Sequence, residues 1–136
     1  MLPRTKEEVL EEIIGWVDLL NEENGRAVII VEGIKDKKAL EAIGVDLRIV
    51  HLNKGMSIIT FLEQLKRGER PFEELGPFNR VVVLTDWDRT GGRLASKLKE
   101  ACRNLEMDCD LDRRRDLARI TSKWVRDVES LDSLFR

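Results

Sequence analysis

The sequence predicts an α/β fold: a mostly parallel four-stranded sheet between two layers of helices. Three observations predict it. Short, β-branched apolar runs, "RAVIIVEG", "DLRIVHL" and "RVVVLTD", recur along the chain. The first and third carry unbroken apolar runs, "AVIIV" and "VVVL", the pattern of a strand covered on both faces. Between them lie stretches of helical periodicity, and strands that alternate with helices imply a parallel sheet with helices on its faces.

Taken in order, "TKEEVLEEIIGWVDLLNEENG" (residues 5–24, with Gly25 behind) is an amphipathic helix. Thr5 and Glu8 form a capping-box pair, and Val9, Ile13, Trp16, Val17 and Leu20 fall on one stripe. Asn24-Gly25 stops it. "RAVIIVEG" is the first strand. "DKKALEAIG" follows as a helix with Asp36 as N-cap and Gly44 as its stop. "DLRIVHL" is the second strand, and "MSIITFLEQLKRG" a helix ending at Gly68. "ERPFEELGPFN", with Pro71, Gly76 and Pro77, reads as a loop. "RVVVLTD" is the third strand, "GGRLASKLKEACRNL" the next helix, and "EMDCDLD" a weaker fourth strand. Residues 113–135 read as mostly helical, with Leu117, Ile120, Trp124, Val128, Leu131 and Leu134 as the apolar positions. The expectation is one domain over 1–136, with its core at 26–110 and flanking helices at 5–24 and 113–135.

Lys and Arg number 24 against 26 Asp and Glu, so the net charge of −2 gives no global attraction to nucleic acid or anionic membrane. Any nucleic-acid surface must be a local basic patch. A charged fraction of 37% with one glutamine, Gln64, suits a heat-adapted source. No stretch is long and apolar enough to span a bilayer, and "MLPRTKEEVLEE" lacks the features of a signal peptide. The expected location is therefore cytoplasmic, with no membrane partner. Cys102 and Cys109 lack metal-site spacing and read as reduced, structural thiols.

The chemistry concentrates where strands end. The first strand ends at Glu32-Gly33, and the third at Asp86-Trp87-Asp88. Parallel order puts both ends on one edge of the sheet, where such folds bind ligands. If the strands are neighbours, about 4.8 Å apart, three carboxylates crowd one site. Like charges so close call for a proton or a cation. Mg²⁺, with Mn²⁺ as the alternative, suits one or two carboxylates plus waters and substrate phosphates. Gly33, Gly91 and Gly92 allow close backbone approach and open helix N-termini, which favour anions. Lys35, Lys37 and Lys38 follow Glu32, Lys54 follows the second strand, and Arg89 and Arg93 follow the aspartates. Acids for a metal beside cations for phosphates are what phosphodiester chemistry requires.

"VIIVEGIKDKKAL", followed some fifty residues later by "VVVLTDWDRTGGRLA", resembles the TOPRIM domain. That family is shared by bacterial-type primases, type IA and type II topoisomerases and the ribonuclease that matures 5S ribosomal RNA. The resemblance covers about residues 26–110. It is closest to the primase and 5S-maturation versions and to small stand-alone TOPRIM proteins. It implies a Rossmann-like three-layer sandwich. It also implies metal ligation by Asp86 and Asp88, and Glu32 as general acid/base or third ligand. Gly33 and Gly91 match its turn glycines, and Gly55 the glycine that opens its second helix. Lys35, Lys37, Lys54, Arg89 and Arg93 stand as candidate substrate contacts. Thr90 occupies the place of a third acid in type IA topoisomerases. The chain has no tyrosine, so covalent tyrosine-linked strand passage is excluded. The expected activity is Mg²⁺-dependent chemistry on RNA or DNA, as a nuclease or an RNA-processing or DNA-repair protein. The alternative is a non-catalytic nucleic-acid-binding module, with a protein partner as a further option.

Asp86-Trp87-Asp88-Arg89-Thr90 also fits the DxDxT nucleophile motif of haloacid-dehalogenase-like phosphatases, with Asp108, Asp110 and Asp112 as later metal acids. That reading leaves Glu32-Gly33 unexplained. "DCDLD" starts like a calcium loop, but Arg113 and Arg119 stand where Gly and Glu are required. His51 reads as a strand-end or surface residue. Trp87, between the two acids, is expected to pack beneath the loop. "DRRRDLAR" reads as a solvated helix face.

Overall fold

The computed structural model describes residues 5–136; the first four residues of the opening segment lie outside that range. The sheet has strands β1 (Ala27–Val31), β2 (Arg48–His51), β3 (Arg80–Val83) and β4 (Cys109–Asp110), in spatial order β2-β1-β3-β4. All three pairings are parallel. The helices are α1 (Lys6–Asn21), α2 (Ile34–Ala42), α3 (Ile58–Arg67), α4 (Arg89–Asn104) and α5 (Asp112–Thr121), and a 3₁₀ turn spans Leu131–Phe135.

The period-2 geometry of a strand sorts the core into two layers. Ala27, Ile29 and Val31 of β1 face α1, α5 and the 3₁₀ turn, where Ile13, Leu20, Leu117 and Leu131 are fully buried. Val28 and Ile30 face α3 and α4, against Phe61, Leu62, Leu65, Ala95 and Leu98. All five residues of β1 are buried, as expected of a central strand.

Local chemistry explains the helix ends. Thr5 accepts a hydrogen bond from the Glu8 N–H at 3.2 Å, and the predicted α1 stripe is the buried one. Ser57 caps α3 through the Thr60 N–H, and Gly68 ends it at φ +65°, where a side chain is disfavoured. Two elements differ from the sequence expectation. Asp36 is the third residue inside α2 rather than its N-cap; Gly33 takes the cap position and its N–H donates to the Asp36 carboxylate at 2.9 Å. The helix expected over 113–135 ends at Thr121. Residues 122–130 turn back over the carboxyl edge of the sheet, and that excursion leaves Trp124 exposed rather than in the core. No helix among the described residues is long and apolar enough to cross a membrane.

Candidate metal and phosphodiester site

Strand order reverses direction at β1: one connection leads outward to β2, the next returns across to β3. The cleft between β1 and β3 is therefore the topological switch point, where open α/β sheets bind ligands. Glu32 and Asp86 emerge on either side of it. The Glu32 Oε2 accepts a hydrogen bond from the Asp86 N–H at 2.7 Å, although 54 residues separate them. The expected convergence of the two strand ends is present.

Each acid commits one oxygen to a backbone N–H. Asp86 Oδ1 accepts from Val128 at 2.9 Å, and Asp88 Oδ1 accepts from Gly91 at 2.7 Å, which makes Asp88 the N-cap of α4. Burial pushes the Asp86 carboxyl up to about 7; the Val128 N–H opposes that rise, and the charges of Glu32, Asp36 and Asp127 add to it. Asp36 is also raised, first by burial and then, against its bond to Gly33, by Glu32. Burial, and to a lesser degree the neighbouring carboxylates, thus favour the neutral form of both acids.

Among the described residues, no group of three Asp, Glu, His or Cys side chains is arranged to hold a metal ion. The physical reason is the capping just described, which turns each carboxylate toward a different backbone N–H. A Mg²⁺ that keeps its waters needs only one or two carboxylates. Asp86 and Asp88 meet that demand as hard oxygen donors, each with one oxygen outside the capping bonds.

The candidate cations flank these acids. Lys54 lies beyond β2 in a cavity that also includes Glu32 and Gly33. Lys35 is exposed on α2 and lies 3.9 Å from Glu129. Lys37 is half-buried in the first turns of α2. Arg89 and Arg93 are exposed on the first turns of α4, on the far side of Asp86, and Gly91 is buried there. His51 is exposed at the end of β2. Trp87 is half-buried; its Nε1 donates to the Val125 carbonyl at 2.8 Å, so it packs beneath the loop as expected. Asp108 bonds Arg80 at 3.1 Å, at the amino-terminal edge of the sheet. Six residues of extended chain separate Arg80 from Asp86, roughly 20 Å, so Asp108 does not reach the DWDRT segment.

Sequence reasoning missed three partners. Val128 and Arg126 clasp the motif from the returning C-terminal segment, Arg126 through its carbonyl to the Trp87 N–H at 3.0 Å. Arg114, in the charge run read as a solvated face, turns inward. Its Nε donates to the Thr85 carbonyl at 2.9 Å and its Nη2 to the Asp86 carbonyl at 2.7 Å. No sequence signal separates Arg114 from its neighbours Arg113 and Arg115. Arg114→Ala removes both charge-assisted bonds from a half-buried loop and is expected to cost roughly 2–4 kcal/mol in urea unfolding.

The comparisons with known proteins agree with this geometry. The model of the Toprim domain matches residues 27–115. A UPF0292 protein of Methanosarcina barkeri is 38% identical over 90% of this chain and 79% of its own length. A UPF0292 protein of Thermococcus sibiricus is 32% identical over 93% of this chain and 87% of its own. A solved structure of a protein from Aquifex aeolicus superposes with a TM-score of 0.65 and 27% identity, covering 94% of this chain and 99% of that one. Toprim domains typically bind Mg²⁺ and are associated with nucleic acid. With a Glu-Gly and an Asp-x-Asp side by side at the switch point, and the family pattern matched from 27 to 115, the chain belongs to the Toprim domain family.

Proposed function

We propose that this domain hydrolyses phosphodiester bonds in RNA or DNA, with Mg²⁺ (or Mn²⁺) held at Asp86 and Asp88. The observation that carries the reading is the hydrogen bond that brings the Glu32 carboxylate to Asp86 across the β1–β3 cleft. Bound Mg²⁺ supplies Lewis acidity to the phosphate. Glu32 is the general base or acid: Oε2 is anchored on the Asp86 N–H and Oε1 is left to exchange a proton. Water is the nucleophile in this reading: the chain has no tyrosine, and its sequence offers no Ser/His/Asp grouping. Arg89 and Arg93 on one side and Lys54 on the other supply positive charge along the path of a phosphate backbone.

The test is incubation of labelled structured RNA and single-stranded DNA with the protein, in Mg²⁺ or in EDTA. Cutting that requires Mg²⁺ and disappears in Asp86→Asn supports the reading. Retention of the polymer without cutting supports a second reading, a binding module.

The same aspartate predicts a pH dependence. In the cation-free protein Asp86 titrates at about 7 instead of its ordinary 3.8, chiefly through burial. The folded state then binds this proton more tightly than the unfolded state does. Stability from this group is complete below the ordinary value and is lost as pH rises through about 7. Urea midpoints are expected to fall as pH rises from the ordinary 3.8 to about 7, the span over which the folded state alone keeps the proton. Asp86→Asn, whose amide oxygen still accepts from Val128, flattens the slope. Adding Mg²⁺ at the higher pH raises the wild-type midpoint and leaves that of the variant unchanged.

A further inference from the structure

On the β2 side of Glu32 the carboxyl edge of the sheet opens into a cavity of about 790 Å³. Glu32 and Gly33 line it, so it is continuous with the proposed reacting edge. Its apolar wall includes Met56 and, from the loop after α3, Phe72 and Leu75. His51 at the end of β2, and Asn53 and Lys54 just beyond it, supply polar groups. The loop is tied in place. Arg48 Nη1 donates to the carbonyls of Leu75 and Pro77 at 2.7 and 2.9 Å, and the Phe72 ring meets Phe61 edge-on with centroids 5.4 Å apart. The cavity is therefore built before any ligand arrives.

Gln64, the chain's one glutamine, also lines this cavity, and its Oε1 is buried without a hydrogen-bond partner. Turning that oxygen toward a ligand forfeits no bond, and a ligand that supplies a donor relieves an orphaned acceptor. An aromatic and thioether wall, the Gln64 and Asn53 amides and a lysine match a nucleobase with an attached phosphate, the phosphate lying at Lys54 and clear of the Glu74 carboxylate that also lines the cavity. The apolar portion is too polar at its margins for a purely aliphatic ligand.

We infer that this cavity takes the base of one unpaired nucleotide beside the bond being cut, so that the substrate is single-stranded or splayed nucleic acid rather than intact duplex. The base lies against Phe72 and Met56, the Gln64 amide meets its edge, and Lys54 meets a neighbouring phosphate. A base within a duplex is paired and stacked, and must be extruded at a cost before it can enter. This inference rests on the proposed function only in placing the reacting phosphate at Glu32.

The experiment measures binding by fluorescence anisotropy with Ca²⁺ in place of Mg²⁺. The probes are a short single strand, the same strand carrying one abasic nucleotide at successive positions, the blunt duplex, and a free nucleoside monophosphate. One abasic position is expected to weaken binding about tenfold, the size of one lost base–aromatic stack, and the duplex to bind at least that much more weakly. Phe72→Ala should shrink the abasic penalty toward onefold. Because Phe72 also braces Phe61, Gln64→Leu serves as the second variant and should reduce the penalty while the far-ultraviolet dichroism stays native. Equal affinity for complete and abasic strands overturns the pocket and leaves the cleavage reading standing. Failure of every oligonucleotide to bind overturns both. Saturable binding of the monophosphate with none of the single strand overturns the assignment to a polymer.

Discussion

Glu32→Gln is expected to lower single-turnover cleavage of a labelled oligonucleotide by about 10²–10⁴-fold, the usual worth of a positioned acid or base. The variant should remain folded. Its amide oxygen can still accept from the Asp86 N–H, the bond that joins the two strand ends at 2.7 Å. What the amide cannot do is exchange a proton at pH 7. Activity retained near the wild-type level would reduce Glu32 to a structural acceptor and remove it from the chemistry. A phosphate monoester as parallel substrate separates the phosphatase reading, in which turnover would survive the substitution because the nucleophile is Asp86.

Gly91→Ala is the second large effect, and it falls on stability. A Cβ built at Gly91 lies 1.8 Å from the Asp86 carbonyl oxygen, 2.5 Å from its carbon and 2.9 Å from its Cα. These are backbone atoms, and they are held on both sides. The Asp86 carbonyl accepts from Arg114, while the Gly91 carbonyl accepts from the buried Thr85 hydroxyl at 2.7 Å. Relief requires breaking that set of bonds and moving Asp88 from its cap. The expected loss is about 3 kcal/mol or more in urea unfolding, at the upper end for an overpacked site. Gly15→Ala is the matched control. It sits within α1 with nothing within 4 Å of the added carbon, and it should stabilise by roughly 0.5–1 kcal/mol. If Gly91→Ala melts with the wild type, the strand-to-helix junction is softer than its bonds imply.

The contrast between Glu32 and Arg114 shows where sequence reading stops. Glu32 and Asp86 could be paired in advance because periodicity located two strands, parallel order aligned their ends, and adjacency then followed from topology. The α1 stripe was legible for a similar reason: a repeat of 3.6 residues carries its own geometry. Arg114 has no such marker. It sits among Asp112, Arg113 and Arg115, and only the angle at which α5 crosses β3 decides which guanidinium turns inward. Arg115 pairs with Asp112 at the surface, while the Arg113 carbonyl takes the Trp16 indole N–H. The break after Thr121 was hidden by apolar residues that continue at helix-like intervals through Val128 and Leu134. What breaks the helix is tertiary: Val125, Arg126 and Val128 offer backbone groups to Trp87 and Asp86 instead of to the next helical turn.

That returning segment has a consequence for how the protein matures. One oxygen of Asp86 is seated by an N–H that stands 42 positions later in the chain. During synthesis the four strands and their first four helices can assemble before residue 128 emerges, yet the acid pair stays half-built until it does. A polypeptide interrupted anywhere between 115 and 125 would retain the whole family pattern and still hold Asp86 loosely. Full seating of this acid therefore depends on translation proceeding well past the last recognisable motif.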